Sequence, residues 1–155
     1  MKITDITVQR LRHELDPPFH AAWDPEPRTA FEATLVRVHT DQGVVGVGSG
    51  DTMTGFDQFA HHFIGTDPLR IERHVRAIES IGFHAGRFWP LEAALWDIIG
   101  KIAGLPVSAL FGHVEDRLPV YASWGALGTP EERAQDAVAL VESGFQAVKL
   151  RIHPR

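Results

Sequence analysis

Apolar and polar positions alternate at the start of the chain, fall into helical stripes in the middle, and alternate again near residue 155. Lys2 to Leu11 is β-branched and predicts a strand, and Phe31 to Thr40 predicts a second. Between the second and a glycine-rich third strand, Val44 to Gly48, the run Asp41-Gln42-Gly43 has the form of a three-residue hairpin turn with Gly43 in the left-handed position. Three antiparallel strands thus open the protein. The spacing then predicts helices. Phe56 to Phe63 is short, and Asp67 caps the next, with Pro68 at its first position, Ile71, Val75 and Ile78 on its apolar face and Gly82 near its end. A third runs from Pro90 to Ala103 with Leu91, Ala94, Leu95, Ile98 and Ile102 inward. Gly104 and Pro106 stop it, and a short helix ends at Gly112.

After this α+β domain, expected to span residues 1–116, the pattern becomes that of a crossover unit. Leu118 to Trp124 predicts a strand, Thr129 to Ser143 a helix and Gln146 to Ile152 another strand. Thr129 and Glu132 are placed to form a capping box, Pro130 takes the first helical position, and Ala134, Ala137, Val138 and Val141 make one apolar stripe before Gly144. Strand, helix, strand implies parallel pairing, and parallel strands are normally covered on their faces. In the last strand Val148, Leu150 and Ile152 share one face, and Lys149, Arg151 and His153 share the other. Cations on a covered face are costly unless something uses them. Two readings follow: an edge strand with a solvated basic face, or a site at the strand's C-terminal end.

Two loops carry further candidate chemistry. Asp16 to Arg28 is rich in proline and holds Phe19, His20 and Trp23; Gly48 to Gly55 is glycine-rich and holds Asp51, Thr52 and Met53. These side chains suit local packing or a lid over a small ligand equally well. The glycines of the second loop match neither a dinucleotide fingerprint nor a phosphate-binding loop, since no lysine follows at the required spacing. His61 and His62 are adjacent on a predicted helix and point about 100° apart, so they cannot chelate one metal together. Those two, with His74 and His84, are expected in surface or capping roles, and Asp97 as a hydrogen-bonded structural carboxylate.

Composition narrows the classes. A net charge of −5 leaves no footprint for nucleic acid or an anionic membrane, and no apolar run approaches the roughly 18 residues of a membrane span. The absence of cysteine removes disulfides, thiolate ligands and cysteine nucleophiles, and fits a cytoplasmic protein.

The chain resembles the enolase superfamily, in its mandelate racemase and muconate lactonizing enzyme branch. The resemblance rests on the run from Leu91-Glu92-Ala93-Ala94-Leu95-Trp96-Asp97 through Gly104-Leu105-Pro106-Val107, then Leu110-Phe111-Gly112. Leu118-Pro119-Val120-Tyr121-Ala122-Ser123 and Gly144-Phe145-Gln146-Ala147-Val148-Lys149-Leu150-Arg151 extend it to the rest of the chain. It implies an N-terminal capping domain over residues 1–116 and, in 117–155, the first strands of a (β/α) barrel. By position, Asp16 to Arg28 and Gly48 to Gly55 match the branch's two specificity loops, which makes His20, Trp23, Asp51, Thr52 and Met53 candidate substrate contacts.

The resemblance further implies proton abstraction α to a carboxylate, with the enediolate stabilised on Mg²⁺. Lys149-Leu150-Arg151 stands where many members carry Lys-x-Lys, so Lys149 and Arg151 are the candidate catalytic residues. An arginine is a poor base near neutrality but a good carboxylate clamp. That weakens a two-base racemase and favours a one-base dehydratase of a sugar acid; a racemase or cycloisomerase is the alternative. The Mg²⁺ ligands are expected on barrel strands beyond these residues, so this segment alone is expected to be inactive and to need the remainder of the barrel. Homo-oligomers are common in the family. A non-catalytic α+β module that binds a partner or ligand is the rival class.

Overall fold

Strand β2, Arg28–Thr40, is built on the alternation that buries one face of a sheet: Thr34, Val36, Val38 and Thr40 are buried, and the residues between them are not. The computed structural model describes residues 1–50, 52–83 and 87–151. Its described residues divide into two units, Met1–Arg12 with Glu32–Val114, and His13–Phe31 with the residues from Glu115 onward.

The first unit holds most of a three-stranded sheet in the order β1-β2-β3 with helices upon it, where β1 is Ile3–Phe19, passing into the second unit at His13, and β3 is Val45–Gly50. The three-stranded antiparallel capping fold expected from the sequence is present. β3 runs antiparallel to β2, setting Gly48 opposite Val36 and Gly46 opposite Val38. The turn between them has Gly43 at φ 76°, its N–H donating to the Thr40 carbonyl at 3.1 Å.

Helix α2, Trp89–Ala103, packs on β3, with Leu91, Ala94, Leu95 and Ile98 wholly buried. A Cβ at Gly46 would lie 2.1 Å from the Ala94 carbonyl oxygen, and one at Gly48 2.0 Å from that of Pro90. The glycines of this strand are therefore the seat of a helix, not a ligand loop. Gly104, at φ 65°, ends α2, and the short helix α3, Val107–Leu110, follows. Ile102, expected inward, is 44% exposed in the last turn of α2.

Helix α1, Ile71–Gly82, packs on α2. It begins later than the Asp67-Pro68 signal suggests. Asp67 accepts the Leu69 N–H on its side chain and the Arg70 N–H on its carbonyl, so a separate turn precedes the helix. His74, expected in a surface or capping role, is not at the surface but buried in the core: its Nε2–H donates to the Asp67 carbonyl at 2.9 Å, and its ring lies 5.8 Å from that of Phe63. The helix expected over Phe56–Phe63 is a pair of 3₁₀ turns, Phe56–Gln58 and Ala60–His62. There the rings of His61 and His62 lie 4.0 Å apart instead of diverging. His84 lies outside the described residues. Asp97 is a structural carboxylate, accepting from the Val47 N–H and from Lys101.

The second unit contains a parallel pair, β4 (Ala122–Ser123) and β5 (Val148–Lys149), joined through helix α4 (Pro130–Glu142). The crossover is as expected; the strands are shorter, Leu118, Val120 and Tyr121 being largely exposed. The capping box forms as its residues predict. The apolar face of α4 has little over it, with Val138 58% and Val141 62% exposed. No helix among the described residues is long and apolar enough to cross a membrane.

Candidate active site

The second unit gathers the proline-rich loop and the end of the parallel pair. β1 runs on through Asp16, Pro17 and Pro18 to Phe19, and β2 begins at Arg28, which leaves residues 20–27 as the connection. Its backbone is tied down where β4 ends: the Ala22 N–H donates to the Gly125 carbonyl at 2.8 Å. The Trp124 N–H in turn donates to the Lys149 carbonyl at 3.1 Å, fixing the level at which β5 delivers Lys149 and Arg151.

Arg151 is exposed, and its Cζ lies 4.6 Å from the centroid of the Trp23 ring. That is a cation–π stack, in which the indole face attracts the guanidinium charge. Among the described residues no carboxylate forms an ion pair with Arg151. Trp23 meets Phe19 edge-on at 6.4 Å, and Phe19 meets Phe31 at 6.1 Å. Arg28 lies over Phe31 at 5.7 Å and grips Asp24 through both carboxylate oxygens. That pairing holds the Asp24 carboxyl below its ordinary range, chiefly through the hydrogen bond from Arg28.

A cleft of about 1270 Å³ opens beside this arrangement, bordered by Leu127, Thr129, Arg133, Ala137, Leu150 and Arg151 among others. Leu150 and Arg151, assigned by strict alternation to opposite faces, both border it. β5 ends at Lys149, and the two-residue period holds only within a strand. Arg133 also stacks on an indole, Trp124, at 5.5 Å, but it is neutralised by Asp136 at 3.1 Å.

The remaining candidates are placed as follows. His20 is exposed and Trp23 is 53% exposed, both in the second unit. Thr52 and Met53 belong to the first unit; Thr52 is half-buried, and Met53 is buried in the hydrophobic core with φ at 120°. Asp51 lies outside the described residues. Among the described residues no group of three or more His, Asp or Glu is arranged to hold a metal ion. The residues that sequence reasoning passed over are Gly125 and Phe31. Neither carries polar chemistry, and only their neighbours reveal that they seat the loop.

Residues 3–112 match the family model described as mandelate racemase / muconate lactonizing enzyme, N-terminal domain. The chain is 32% identical over 164 aligned positions to a D-galactonate dehydratase of Pectobacterium atrosepticum, covering 97% of this chain and 38% of that protein. It is 33% identical over 137 positions to a D-galactonate dehydratase of Variovorax paradoxus, covering 79% and 36%. A solved dipeptide epimerase from Enterococcus faecalis, complexed with Mg and the dipeptide L-Leu-L-Tyr, aligns with a TM-score of 0.80 at 25% identity, covering 99% of this chain and 46% of that one. The chain thus spans well under half the length of the relatives it matches.

Proposed function

Since this chain belongs to the mandelate racemase / muconate lactonizing enzyme family of the enolase superfamily, we propose that it forms the capping domain and opening barrel strands of a sugar-acid dehydratase. The reaction removes the proton α to a carboxylate and expels the neighbouring β-hydroxyl, and the resulting enol becomes a 2-keto-3-deoxy acid. D-Galactonate, named for the two dehydratases above, heads the substrate class.

The observation that carries the reading is Arg151 itself: an exposed guanidinium at the end of a barrel-type strand, stacked on Trp23, with no ion-pair partner among the described residues. Its planar fork of N–H donors matches a carboxylate, and its pKa keeps it charged throughout the working range. Lys149, two residues earlier, adds a second positive charge. His20 on the tethered loop is the proposed neighbour of the substrate, and Trp23 borders the site through its contact with Arg151. Mg²⁺ accompanies the fold in the dipeptide epimerase. The described residues here offer no ligand set for it. The segment alone is accordingly proposed to be inactive.

The test uses the full-length protein with Mg²⁺ and a panel of sugar acids, following formation of the 2-keto-3-deoxy product. Arg151→Gln should raise KM about tenfold to a hundredfold, the range for losing one charge-assisted fork. Arg151→Lys should retain only part of the affinity. Wild-type rate and pH profile in Arg151→Lys would remove the clamp role. Exchange of the α-proton with solvent deuterium, without loss of water, would assign the protein to racemisation or epimerisation instead.

A further inference from the structure

We infer that Trp23 is a positioning residue for Arg151 and that Gly125 is the seat that lets it act; the inference rests on the reading of Arg151 as a carboxylate clamp. An exposed arginine samples many rotamers, and gripping a ligand costs it that freedom. The Trp23 ring under the guanidinium at 4.6 Å restricts the sampling before any ligand arrives. A guanidinium stacked face-on keeps its in-plane N–H groups free, and those are the donors a carboxylate needs.

The ring itself is held from behind. Phe19 supports Trp23 edge-on at 6.4 Å, Phe31 supports Phe19 at 6.1 Å, and the Asp24–Arg28 pair closes the end of the row over Phe31. The row can descend onto the end of β4 only because residue 125 has no side chain. A Cβ there would lie 2.4 Å from Cζ of Phe19 and 3.2 Å from Cη2 of Trp23. The proline-rich connection is therefore a fixed wall behind the clamp, not a lid that folds over it. Arg133 shows the contrast: its stack on Trp124 comes with a carboxylate already in place, Asp136 at 3.1 Å.

The first test is chemical and independent of turnover. The full-length protein is treated with phenylglyoxal, which modifies accessible guanidinium groups, and labelling at Arg151 is followed by peptide mass spectrometry against Arg76, an 81% exposed reference. Trp23→Leu should raise the Arg151 rate about threefold or more, the loss of one exposed cation–π stack. Trp23→Phe should stay near wild type, and Gly125→Val should reproduce Trp23→Leu. An unchanged Arg151 rate in Trp23→Leu overturns the inference.

The second test is kinetic. Trp23→Leu should raise KM for the sugar acid severalfold and leave kcat within about twofold, and should add nothing in an Arg151→Gln background. Multiplying effects would show that Trp23 acts on the substrate by itself and overturn the positioning role. If no sugar acid is turned over, only the dehydratase reading falls, and the labelling still decides the role of Trp23.

Discussion

Gly48 sits so close to Pro90 that a Cβ carbon on it would lie 2.0 Å from the Pro90 carbonyl oxygen. Gly46 stands in the same relation to Ala94, at 2.1 Å. Backbone cannot yield as a flexible side chain would, so a methyl group at either position must push α2 off the sheet. Gly48→Ala and Gly46→Ala should each lower stability by about 1–3 kcal/mol or more. Gly82→Ala, at the end of α1 with nothing within 4 Å, should be neutral or slightly stabilising. Urea midpoints of the three variants check this; a Gly48→Ala protein as stable as wild type would show that α2 does not need the close approach.

What could be read in advance follows a physical line. The capping box of Thr129 and Glu132, the stop at Gly104 and the turn at Gly43 depend on residues a few positions apart, and all three appear as their sequence predicts. The glycines of β3 were visible, but their reason was not, since it lies on a helix more than forty residues away. The burial of His74 is not legible, because residue type favours the surface and it is the Asp67 carbonyl accepting its proton that makes burial tolerable. Arg151 stands out in the sequence as a cation beside an apolar run, although β5 ends before it and the alternation does not reach it. The aromatic row behind it joins residues 19, 23 and 31 to residues 125 and 151, and no local spacing encodes that.

His74 makes stability depend on pH. Burial is the largest influence on its imidazole and pushes the pKa below the ordinary 6.5, against the opposing pull of the Asp67 carbonyl. The unfolded chain therefore takes up a proton at higher pH than the fold does. The contribution is complete above about pH 6.5 and is lost as pH falls through that value toward the lowered folded pKa. The urea midpoint should drop between about pH 7.5 and 5.5. His74→Gln should be less stable at the upper pH, by about 1–3 kcal/mol, but show a shallower decline. Equal slopes in the two proteins would clear His74 of the effect.

Asp97 and Lys101 close the free edge of the sheet. Asp97 Oδ2 accepts the Val47 N–H at 2.7 Å and Lys101 Nζ at 2.6 Å, and Lys101 donates also to the Val45 carbonyl at 2.7 Å. β3 is a terminal strand, and these are backbone groups of the kind that recruit another strand when left open. Asp97→Ala should cost about 1–2 kcal/mol, a figure already reduced for solvent screening of the half-exposed pair. It should also raise light scattering on mild heating. Lys101→Met should be milder in both. Unaltered scattering by Asp97→Ala would separate stability from edge protection.

Helix α4 depends on its cap, because none of its residues is fully buried. Thr129 Oγ1 accepts the Glu132 N–H at 3.2 Å, and Glu132 Oε2 accepts the Thr129 N–H at 2.9 Å. The bond from the Thr129 backbone, and next the Thr129 side chain beside it, hold the Glu132 carboxyl below its ordinary 4.5. Its contribution is thus present above that pH and is lost as pH falls through the lowered value. Thr129→Ala should weaken the helix by about 1 kcal/mol, equivalent to roughly fivefold faster amide exchange along α4. Thr129→Asp, another good N-cap, should stay near wild type. The exchange of α2 amides, in the other unit, should not change. If Thr129→Ala accelerated α2 and α4 alike, the helix would unfold only with the whole chain, and the cap would not be what holds it.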